Sequence, residues 1–260
     1  MTALSVNVNK IAWLRNARFE PGVTGRPDVC DFARKLILAG VDGITVHPRP
    51  DQRHIRADDV PALEQVVRAA TGIEYNIEGN PAAGERNGYP GFLALVREAR
   101  PDQCTLVPDA DDQLTSDHGW DLAGAETFAR VRETIAELQA MGVRVSLFMD
   151  PVRGQIDRAR DVGADRIELY TGPYADVVSA AGLDAAAAKA SLSRYGDAAR
   201  HAAEIGLGVN AGHDLDLANL RAFVAIGEIA EVSIGHALTA DALEFGLAQT
   251  VRRYLKELGR

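Results

Sequence analysis

Side chains suited to proton transfer follow three short apolar runs of the chain. His47 stands two residues before Arg49, in the segment His-Pro-Arg. Glu78 ends the segment Asn-Ile-Glu, and His213 ends the segment Val-Asn-Ala-Gly-His. An imidazole acts as a general acid or base near neutral pH, and a partly desolvated carboxylate has a raised pKa that suits the same work. A guanidinium beside them can hold a phosphate. The three segments therefore predict acid–base chemistry next to a bound anion.

Two other segments are suited to phosphate binding. In the segment Ile-Gly-His-Ala, Gly235 lets a phosphate approach the backbone N–H groups at the start of a helix, and His236 follows it. In the segment from Asn7 to Arg18, Arg15 and Arg18 are three residues apart, so one helical turn would place both on one side. We expect these two arginines to hold a second phosphate.

A structural role for each segment stays open. The basic loop around His47 could be a solvated surface, and Glu78 could form an ion pair with Arg49. His213 and the side chain of His236 could be buried histidines with purely structural hydrogen bonds. The two N-terminal arginines could lie on a solvated helix face. The functional reading requires that these distant segments meet at one place.

The elements that must position these residues alternate regularly along the chain. Short β-branched runs typical of buried strands are separated by amphipathic stretches with apolar residues at helical spacing. The predicted strands are Ser5–Val8, Gly43–His47, Glu74–Glu78, Cys104–Val107, Arg144–Met149, Arg166–Tyr170, Gly208–Asn210 and Glu231–Ile234. The predicted helices are Val29–Ala39, Val60–Ala70, Gly91–Ala99, Gly124–Ala140, Gly154–Val162, Ala185–Ile205, Leu217–Ile226 and Ala240–Leu258.

Eight strands alternating with eight helices predict an α/β fold, a (β/α)8 TIM barrel that forms a single domain over residues 1–260. A dinucleotide-binding sheet is disfavoured, since no Gly-x-Gly-x-x-Gly turn follows the first strand. In such barrels the catalytic groups lie at the C-terminal ends of the strands and in the loops that follow. The polar segments described above fall at these ends, so we expect them to meet at the mouth of the barrel.

Composition narrows the class of protein. The chain has 260 residues, is 47% hydrophobic and 25% charged, and carries a formal net charge of −9. This acidity disfavours nucleic acid or an anionic membrane as a partner. The chain has no apolar run of about 18 residues and no secretory signal pattern, so we expect a cytoplasmic protein without a membrane span. Cys30 and Cys104 are expected to be reduced core residues, and no His-x-His or His-Glu-x-x-His spacing predicts a metal.

An ordered set from Asn7 to about Leu238 is formed by the segments VNVNKIAWLRNAR, DGITVHPRPDQRHI, NIE, LVP followed by LT, VSLF, ELYTGPYAD, VNAGHDL and SIGHAL. This set resembles the pyridoxine 5′-phosphate synthase family of vitamin B6 biosynthesis. The resemblance implies a transferase that condenses 1-deoxy-D-xylulose 5-phosphate with 3-amino-2-oxopropyl phosphate. The products would be pyridoxine 5′-phosphate, phosphate and water, formed by general acid–base ring closure. The partners would then be small phosphorylated substrates, with no cofactor.

The resemblance also implies roles for individual residues. The family's two bases correspond to His47 and Glu78, and its proton donor corresponds to His213. Glu168, which faces inward on the sixth strand, is a further candidate for proton transfer. Contacts to deoxyxylulose phosphate would fall on Arg49, His54 and Thr115. Contacts to aminooxopropyl phosphate would fall on Asn7, Arg18 and the backbone of Gly235 and His236.

Two places depart from the family's pattern. Many members have Asp-His where this chain has Asn9-Lys10, a pair that contacts deoxyxylulose phosphate, so a cationic donor is kept and an acceptor carboxylate is lost. Many members have glycine where Asp214 follows the histidine of the seventh strand. A carboxylate would repel a phosphate, so we expect the Asp214 side chain to point away and only its N–H to bind.

The family assembles as an octamer of barrels with helices beyond the eightfold set. The resemblance therefore implies a homo-octamer and a few extra helices, for which Asp117–Ala123 and Ala185–Arg194 are the candidates. Two other functions stay open. A sugar-phosphate aldolase would need a Schiff-base lysine at a strand end, where this chain offers only Lys10. A barrel that binds phosphorylated metabolites without catalysis would lack the acid–base groups that this chain has.

Overall fold

Eight parallel strands close into a barrel in the computed structural model, which describes residues 1–23 and 25–260. The strands follow one another around the barrel in chain order, and the last pairs with the first. They are β1 (Ala3–Asn7), β2 (Gly43–Val46), β3 (Glu74–Gly79), β4 (Gln103–Leu106), β5 (Arg144–Met149), β6 (Arg166–Tyr170), β7 (Gly208–Gly212) and β8 (Ile229–Ile234). The predicted (β/α)8 barrel is confirmed.

Helices surround this barrel. They are α1 (Asn9–Asn16), α2 (Val29–Ala39), α3 (Asp59–Arg68), α4 (Phe92–Ala99), α5 (Ala125–Ala140), α6 (Arg153–Asp161), α7 (Gly172–Ala181), α8 (Ala186–Glu204), α9 (Leu220–Val224), α10 (His236–Phe245) and α11 (Leu247–Glu257). Helix α2 has the predicted bounds because both ends are coded locally. The Asp28 side chain accepts the Asp31 N–H at 2.6 Å, and Gly40 ends the helix with φ of 103°.

Two helix predictions are wrong. The predicted helix Ala240–Leu258 is two helices, α10 and α11, because Gly246 separates them with φ of 77°. The segment Asp117–Ala123 is not helical. Its N–H groups bond outside the segment instead: Gly119 donates to Asp150 Oδ2 at 3.1 Å, and Trp120 donates to the carbonyl oxygen of Phe148 at 2.9 Å. The other candidate, Ala185–Arg194, is helical from Ala186 on, within α8. In the described residues two helices follow β1 (α1 and α2), β6 (α7 and α8) and β8 (α10 and α11), so three helices go beyond the eightfold set.

The barrel interior is polar. Asn210 on β7 donates to Gln103 Oε1 on β4 at 3.3 Å, although these strands are not neighbours, so both side chains lie inside the barrel. Thr45 accepts from Asn76 at 3.3 Å and lies 2.8 Å from Ser5 Oγ. The alternate strand residues are apolar and buried, among them Leu4, Val6, Ile44, Ile77, Leu147 and Val232. This alternation turns polar side chains inward and apolar ones toward the helices.

Helix α1 fixes the loop that follows β2. The buried guanidinium of Arg15 donates to Asp59 through Nη1 at 2.5 Å and through Nη2 at 2.7 Å. Nη2 also donates to the carbonyl oxygen of His54 at 3.3 Å, and Asn16 Nδ2 donates to the same oxygen at 2.7 Å. The expectation that Arg15 binds phosphate is therefore wrong, because its side chain is committed to this loop.

No helix of the residues described is both long enough and apolar enough to cross a membrane.

Replacing Asp59 with asparagine should destabilise the protein strongly. The substitution leaves the Arg15 guanidinium buried without its ionic partner, which costs about 3–5 kcal/mol in buried pairs. Chemical denaturation at constant m-value measures the loss. The double variant Arg15→Met/Asp59→Leu removes both charges and should recover most of the stability. The control Asp31→Asn breaks an exposed pair with Lys35 and should change stability far less. Equally small effects of Asp59→Asn and Asp31→Asn would contradict the stabilising role given to the buried Arg15–Asp59 ion pair.

Candidate active site

The C-terminal ends of the strands enclose a cavity of about 410 Å³. Of the fourteen site residues that the family resemblance implies, thirteen line it: Asn7, Asn9, Lys10, His47, Arg49, His54, Glu78, Thr115, Glu168, His213, Asp214, Gly235 and His236. The remaining one, Arg18, is exposed beyond the end of α1, and its guanidinium carbon lies 5.6 Å from the ring centre of Phe19. Segments far apart in the sequence thus meet at one place, as the position of the strand ends predicts.

His47, which follows β2, lies between two carboxyl groups. Its Nδ1 is 3.9 Å from Glu78 Oε2, and its Nε2 is 3.8 Å from Asp109 Oδ2. The backbone N–H of His47 donates to Asn9 Oδ1 at 3.0 Å, so a side chain of α1 fixes the end of β2. Burial lowers the pKa of His47 to about 4, although the charge of Asp109 opposes this. The imidazole is therefore neutral at pH 7, and one ring nitrogen can accept a proton.

Glu78 is a buried carboxyl group near the end of β3. Its Oε2 accepts a hydrogen bond from Asn7 Nδ2 at 3.2 Å. Burial, together with the charges of Asp109 and Glu231, raises the pKa of Glu78 to about 8. A raised pKa of this carboxyl group is what the sequence predicts. Because this pKa lies close to neutral pH, the group can both hold and release a proton under ordinary conditions.

Glu168 enters the same cavity from β6. Its Oε2 has no hydrogen-bond partner among the residues described. Burial, then the charge of Glu78, raises the pKa of Glu168 well above its ordinary value. The neighbouring strand makes room for this side chain, because a Cβ at Gly212 would lie 1.9 Å from Glu168 Oε1. Glycine at position 212 is therefore needed for Glu168 to occupy its place.

Arg49 and His54 form the side of the cavity built by the loop after β2. Arg49 donates from Nη2 to Asp109 Oδ2 at 3.0 Å and from Nη1 to the carbonyl oxygen of Gln113 at 2.8 Å. The alternative of an Arg49–Glu78 ion pair is therefore wrong, since Asp109 takes that place. His54 Nδ1 accepts the backbone N–H of Ile55 at 2.9 Å. Burial lowers the pKa of His54 well below its ordinary value, so the neutral ring carries its proton on Nε2.

His213 directly follows β7 and links it to the loop after β4. Its Nε2 lies 2.7 Å from Thr115 Oγ1, and its Nδ1 lies 2.6 Å from Asp214 Oδ2. Both His213 and Asp214 have left-handed backbone conformations, with φ of 78° and 56°. The Asp214 carboxylate points to the imidazole of its neighbour, a contact that the sequence did not indicate.

The start of α10, after β8, forms the part of the cavity wall between β7 and β1. A Cβ at Gly235 would lie 3.1 Å from Asn7 Cβ and 3.2 Å from the Asn7 carbonyl oxygen, so β8 and β1 approach closely here. Unpaired N–H groups at a helix start are ready donors for a phosphate. Lys10 adds a cation from α1. Its Nζ lies 4.5 Å from the ring centre of Trp13, and burial lowers its pKa.

Asp109 is the main site residue that sequence reasoning missed. It follows Pro108 just past the end of β4, where the rule for strand ends would have found it. Ser116 Oγ donates to Asp109 Oδ2 at 2.8 Å. Ser233 and Phe148 also line the cavity, from β8 and β5. Their side chains carry no distinctive chemistry, so only the inward-facing register of the strands could have indicated them.

A family model described as "Pyridoxal phosphate biosynthesis protein PdxJ" matches residues 4–260. The chain belongs to the PdxJ family. Among its curated relatives is a pyridoxine 5′-phosphate synthase of Xanthomonas campestris pv. campestris (strain B100), 55% identical over 255 residues that cover 98% of this chain and 95% of the relative. Another, of Xylella fastidiosa (strain 9a5c), is 55% identical over 256 residues, which cover 98% of this chain and 94% of the relative. The PdxJ match confirms the resemblance drawn from the ordered segments.

Solved structures outside the PdxJ family share its fold at low sequence identity. KGPDC from Streptococcus mutans has a TM-score of 0.61 and 12% identity, over 100% of this chain and 98% of that one. Thiamine phosphate pyrophosphorylase from Pyrococcus furiosus has a TM-score of 0.59 and 11% identity, over 99% of this chain and 95% of that one. These likenesses concern the barrel alone. Across residues 1–23 and 25–260 of this PdxJ chain, no group of three or more His, Cys, Asp or Glu side chains is arranged to hold a metal ion.

Replacing Glu78 with glutamine should flatten the pH dependence of stability. The pKa of Glu78 is about 8 in the folded protein and about 4.3 in an unfolded chain, so folding retains a proton between these values. The wild-type free energy of unfolding should therefore fall with rising pH, by up to about 1.4 kcal/mol per pH unit more than that of Glu78→Gln between pH 5 and 8. Denaturant unfolding at several pH values measures both slopes.

The matched control is Glu126→Gln, which removes an exposed carboxylate on α5 and should keep the wild-type slope. Identical slopes for Glu78→Gln and the wild type would show that Glu78 does not retain a proton on folding.

Proposed function

We propose that this cavity performs the pyridoxine 5′-phosphate synthase reaction. It condenses 1-deoxy-D-xylulose 5-phosphate with 3-amino-2-oxopropyl phosphate and releases phosphate and water as the ring closes. One observation carries the proposal: His47, Glu78 and His213 line a single cavity with the cationic side chains of Arg49 and Lys10. Ring closure with loss of water requires several proton transfers, and two phosphorylated substrates require cations and backbone donors.

Glu78 is the central proton-transfer group of this proposal. With a pKa of about 8, it is protonated in roughly nine of ten molecules at pH 7. It can give that proton to a departing hydroxyl group and later act as the base that takes a proton from carbon. Glu168, whose pKa is also raised by burial, holds a second proton in the same cavity. Two such groups suit a reaction that loses water.

His47 acts as a base in its neutral form. The lowered pKa ensures that the ring is unprotonated at pH 7, and its Nδ1 lies 3.9 Å from Glu78 Oε2. A polar substrate atom beside this pair could reach both groups. His213 acts as proton donor from the opposite side, through the Nε2 atom that lies beside Thr115.

The two phosphates occupy separate parts of the mouth, one at the loop after β2 and the other at the start of α10. Deoxyxylulose phosphate is bound by Arg49, His54 and Thr115, with Lys10 as a further cation. Asn9 contributes its amide NH₂ group, because its Oδ1 already accepts the His47 N–H.

Aminooxopropyl phosphate is bound on the other side by Asn7, by the backbone of Gly235 and His236 at the start of α10, and by the N–H of Asp214. Arg18 is exposed and lies outside the lining of this cavity, so its proposed contact with aminooxopropyl phosphate requires movement of the segment after α1 or a second copy of the chain.

The proposal includes a single-domain chain, a homo-octamer and a cytoplasmic location. Exposed apolar side chains support association. Leu38 on α2 is 86% exposed, Leu243 on α10 is 78% exposed and Leu14 on α1 is 52% exposed. Surfaces of this kind are often covered in oligomers. Light scattering of the purified protein measures the number of copies directly.

Product formation tests the proposal. Purified protein incubated with both substrates should yield pyridoxine 5′-phosphate, detected by chromatography and absorbance, and neither substrate alone should do so. Glu78→Gln should lower turnover by roughly 10²-fold or more, because general acid–base groups contribute on this scale. Glu126→Gln should match the wild type. Near-normal turnover of a folded Glu78→Gln variant would exclude the role given to Glu78.

Two variants should separate the phosphate sites. Gly235→Val adds a side chain whose Cβ meets Asn7 at 3.1 Å, so it should weaken aminooxopropyl phosphate roughly tenfold or more. Arg49→Ala removes a charge-assisted donor and should weaken deoxyxylulose phosphate by a similar factor. Separate calorimetric titrations with each substrate give both constants. Arg97→Ala, an exposed arginine on α4, is the control. Equal weakening of both substrates by both variants would mean that the mouth is divided differently.

A further inference from the structure

We propose that Asp214 is a positioning residue whose carboxylate holds the Nδ1–H of His213, so that Nε2 is the nitrogen that delivers the proton in the cavity. The inference rests on the proposed function, in which His213 is the proton donor. It gives the Asp214 side chain a task separate from substrate contact.

The imidazole of His213 has a hydrogen-bonding partner at each ring nitrogen. Nδ1 lies 2.6 Å from Asp214 Oδ2, and Nε2 lies 2.7 Å from Thr115 Oγ1. The ring also meets the Tyr170 ring edge to face, with centres 5.5 Å apart. An ionised carboxylate can only accept a hydrogen bond, so Nδ1 carries a proton whether the ring is neutral or charged. Nε2 then accepts from the Thr115 hydroxyl in the neutral ring and donates in the charged one.

An unfavourable backbone conformation directs this carboxylate. Successive non-glycine residues with φ of 78° and 56° are energetically costly and persist only where the surroundings fix them. Thr171 Oγ1 donates to the carbonyl oxygen of Gly212 at 2.8 Å and contacts that of His213. Asn219 Nδ2 donates to the Asp214 carbonyl oxygen at 3.2 Å. The fold therefore maintains the conformation that turns Asp214 toward the ring.

Nearby charges favour an ionised Asp214. Its hydrogen bond with His213 lowers the pKa of Asp214, and the charges of His236 and Lys10 act in the same direction. The titratable groups that act on the pair are Lys10 on α1, His47 after β2, Tyr170 on β6 and His236 at the start of α10. A negative Asp214 stabilises positive charge on the imidazole when Nε2 is protonated.

The proton-transfer step then has a defined start and end. The imidazolium of His213 gives its Nε2 proton to the departing oxygen of the substrate, which leaves as water. The ring becomes neutral with its remaining proton still on Nδ1, and solvent restores the Nε2 proton. Without the carboxylate, the proton of the neutral ring can move to Nε2. Nε2 is then no longer the nitrogen that solvent reprotonates after each transfer.

Two substitutions test this role without forcing the backbone, because asparagine and glycine both accept a left-handed conformation. Asp214→Gly and Asp214→Asn should each lower kcat by roughly 10–100-fold while KM for either substrate changes less than about threefold. The alkaline limb of the kcat–pH profile should move to lower pH, because the negative charge beside the ring is lost. The control Asp176→Asn removes an exposed carboxylate on the neighbouring α7 and should retain wild-type kcat and pH profile.

Nitrogen-15 NMR of histidine-labelled protein supplies a readout that needs no turnover. At alkaline pH the His213 resonances of the wild type should show the proton on Nδ1, and those of Asp214→Gly should shift toward a proton on Nε2. A wild-type ring protonated on Nε2, an unchanged tautomer in Asp214→Gly, or unchanged kcat in that variant would each overturn the inference while product formation stands. Absence of product from wild-type protein would overturn the proposed function and this inference together.

Discussion

The barrel interior holds more carboxyl groups than it can ionise, and this constraint shapes the site. Glu78, Glu168 and Glu231 are each no more than 9% exposed. Burial raises the pKa of each, and the charge of a neighbouring glutamate raises it further. Ionising one buried carboxyl group makes the next ionisation more costly. Glu78 and Glu168, which line the cavity, therefore retain protons at neutral pH in the place where a ring closure with loss of water would use them.

The same constraint separates the roles of two carboxyl groups beside His47. Asp109 accepts hydrogen bonds from Arg49 at 3.0 Å and from Ser116 at 2.8 Å, so a cation compensates its charge. Glu78 accepts hydrogen bonds from neutral groups, the amide of Asn7 and the hydroxyl of Ser233. Similar groups in different surroundings thus differ in their readiness to hold a proton. The groups around each carboxyl, and not the residue type, make Glu78 the one that holds a proton.

The fold and most of the cavity lining follow from the sequence for a simple reason. Strand and helix periods are local signals, and a parallel barrel brings every strand end to one mouth. The signals failed where a residue's role depends on distant partners. The sequence predicted that Arg15 binds phosphate. In the structure its guanidinium pairs instead with Asp59, a residue 44 positions away in the chain. The contact of Asp214 with His213 depends on two left-handed backbone conformations that no residue pattern announces.

The charge of the proposed substrates links binding to the state of Glu78. Phosphates at the mouth add negative potential close to a carboxyl group that burial already keeps protonated, and this favours the protonated form further. Glu78 would thus begin the reaction as an acid. Departure of inorganic phosphate removes part of that potential, and Glu78 can then ionise more easily and act as a base. In this sequence the loss of phosphate itself prepares the group that takes the next proton, so the chemistry and the electrostatics proceed in the same order.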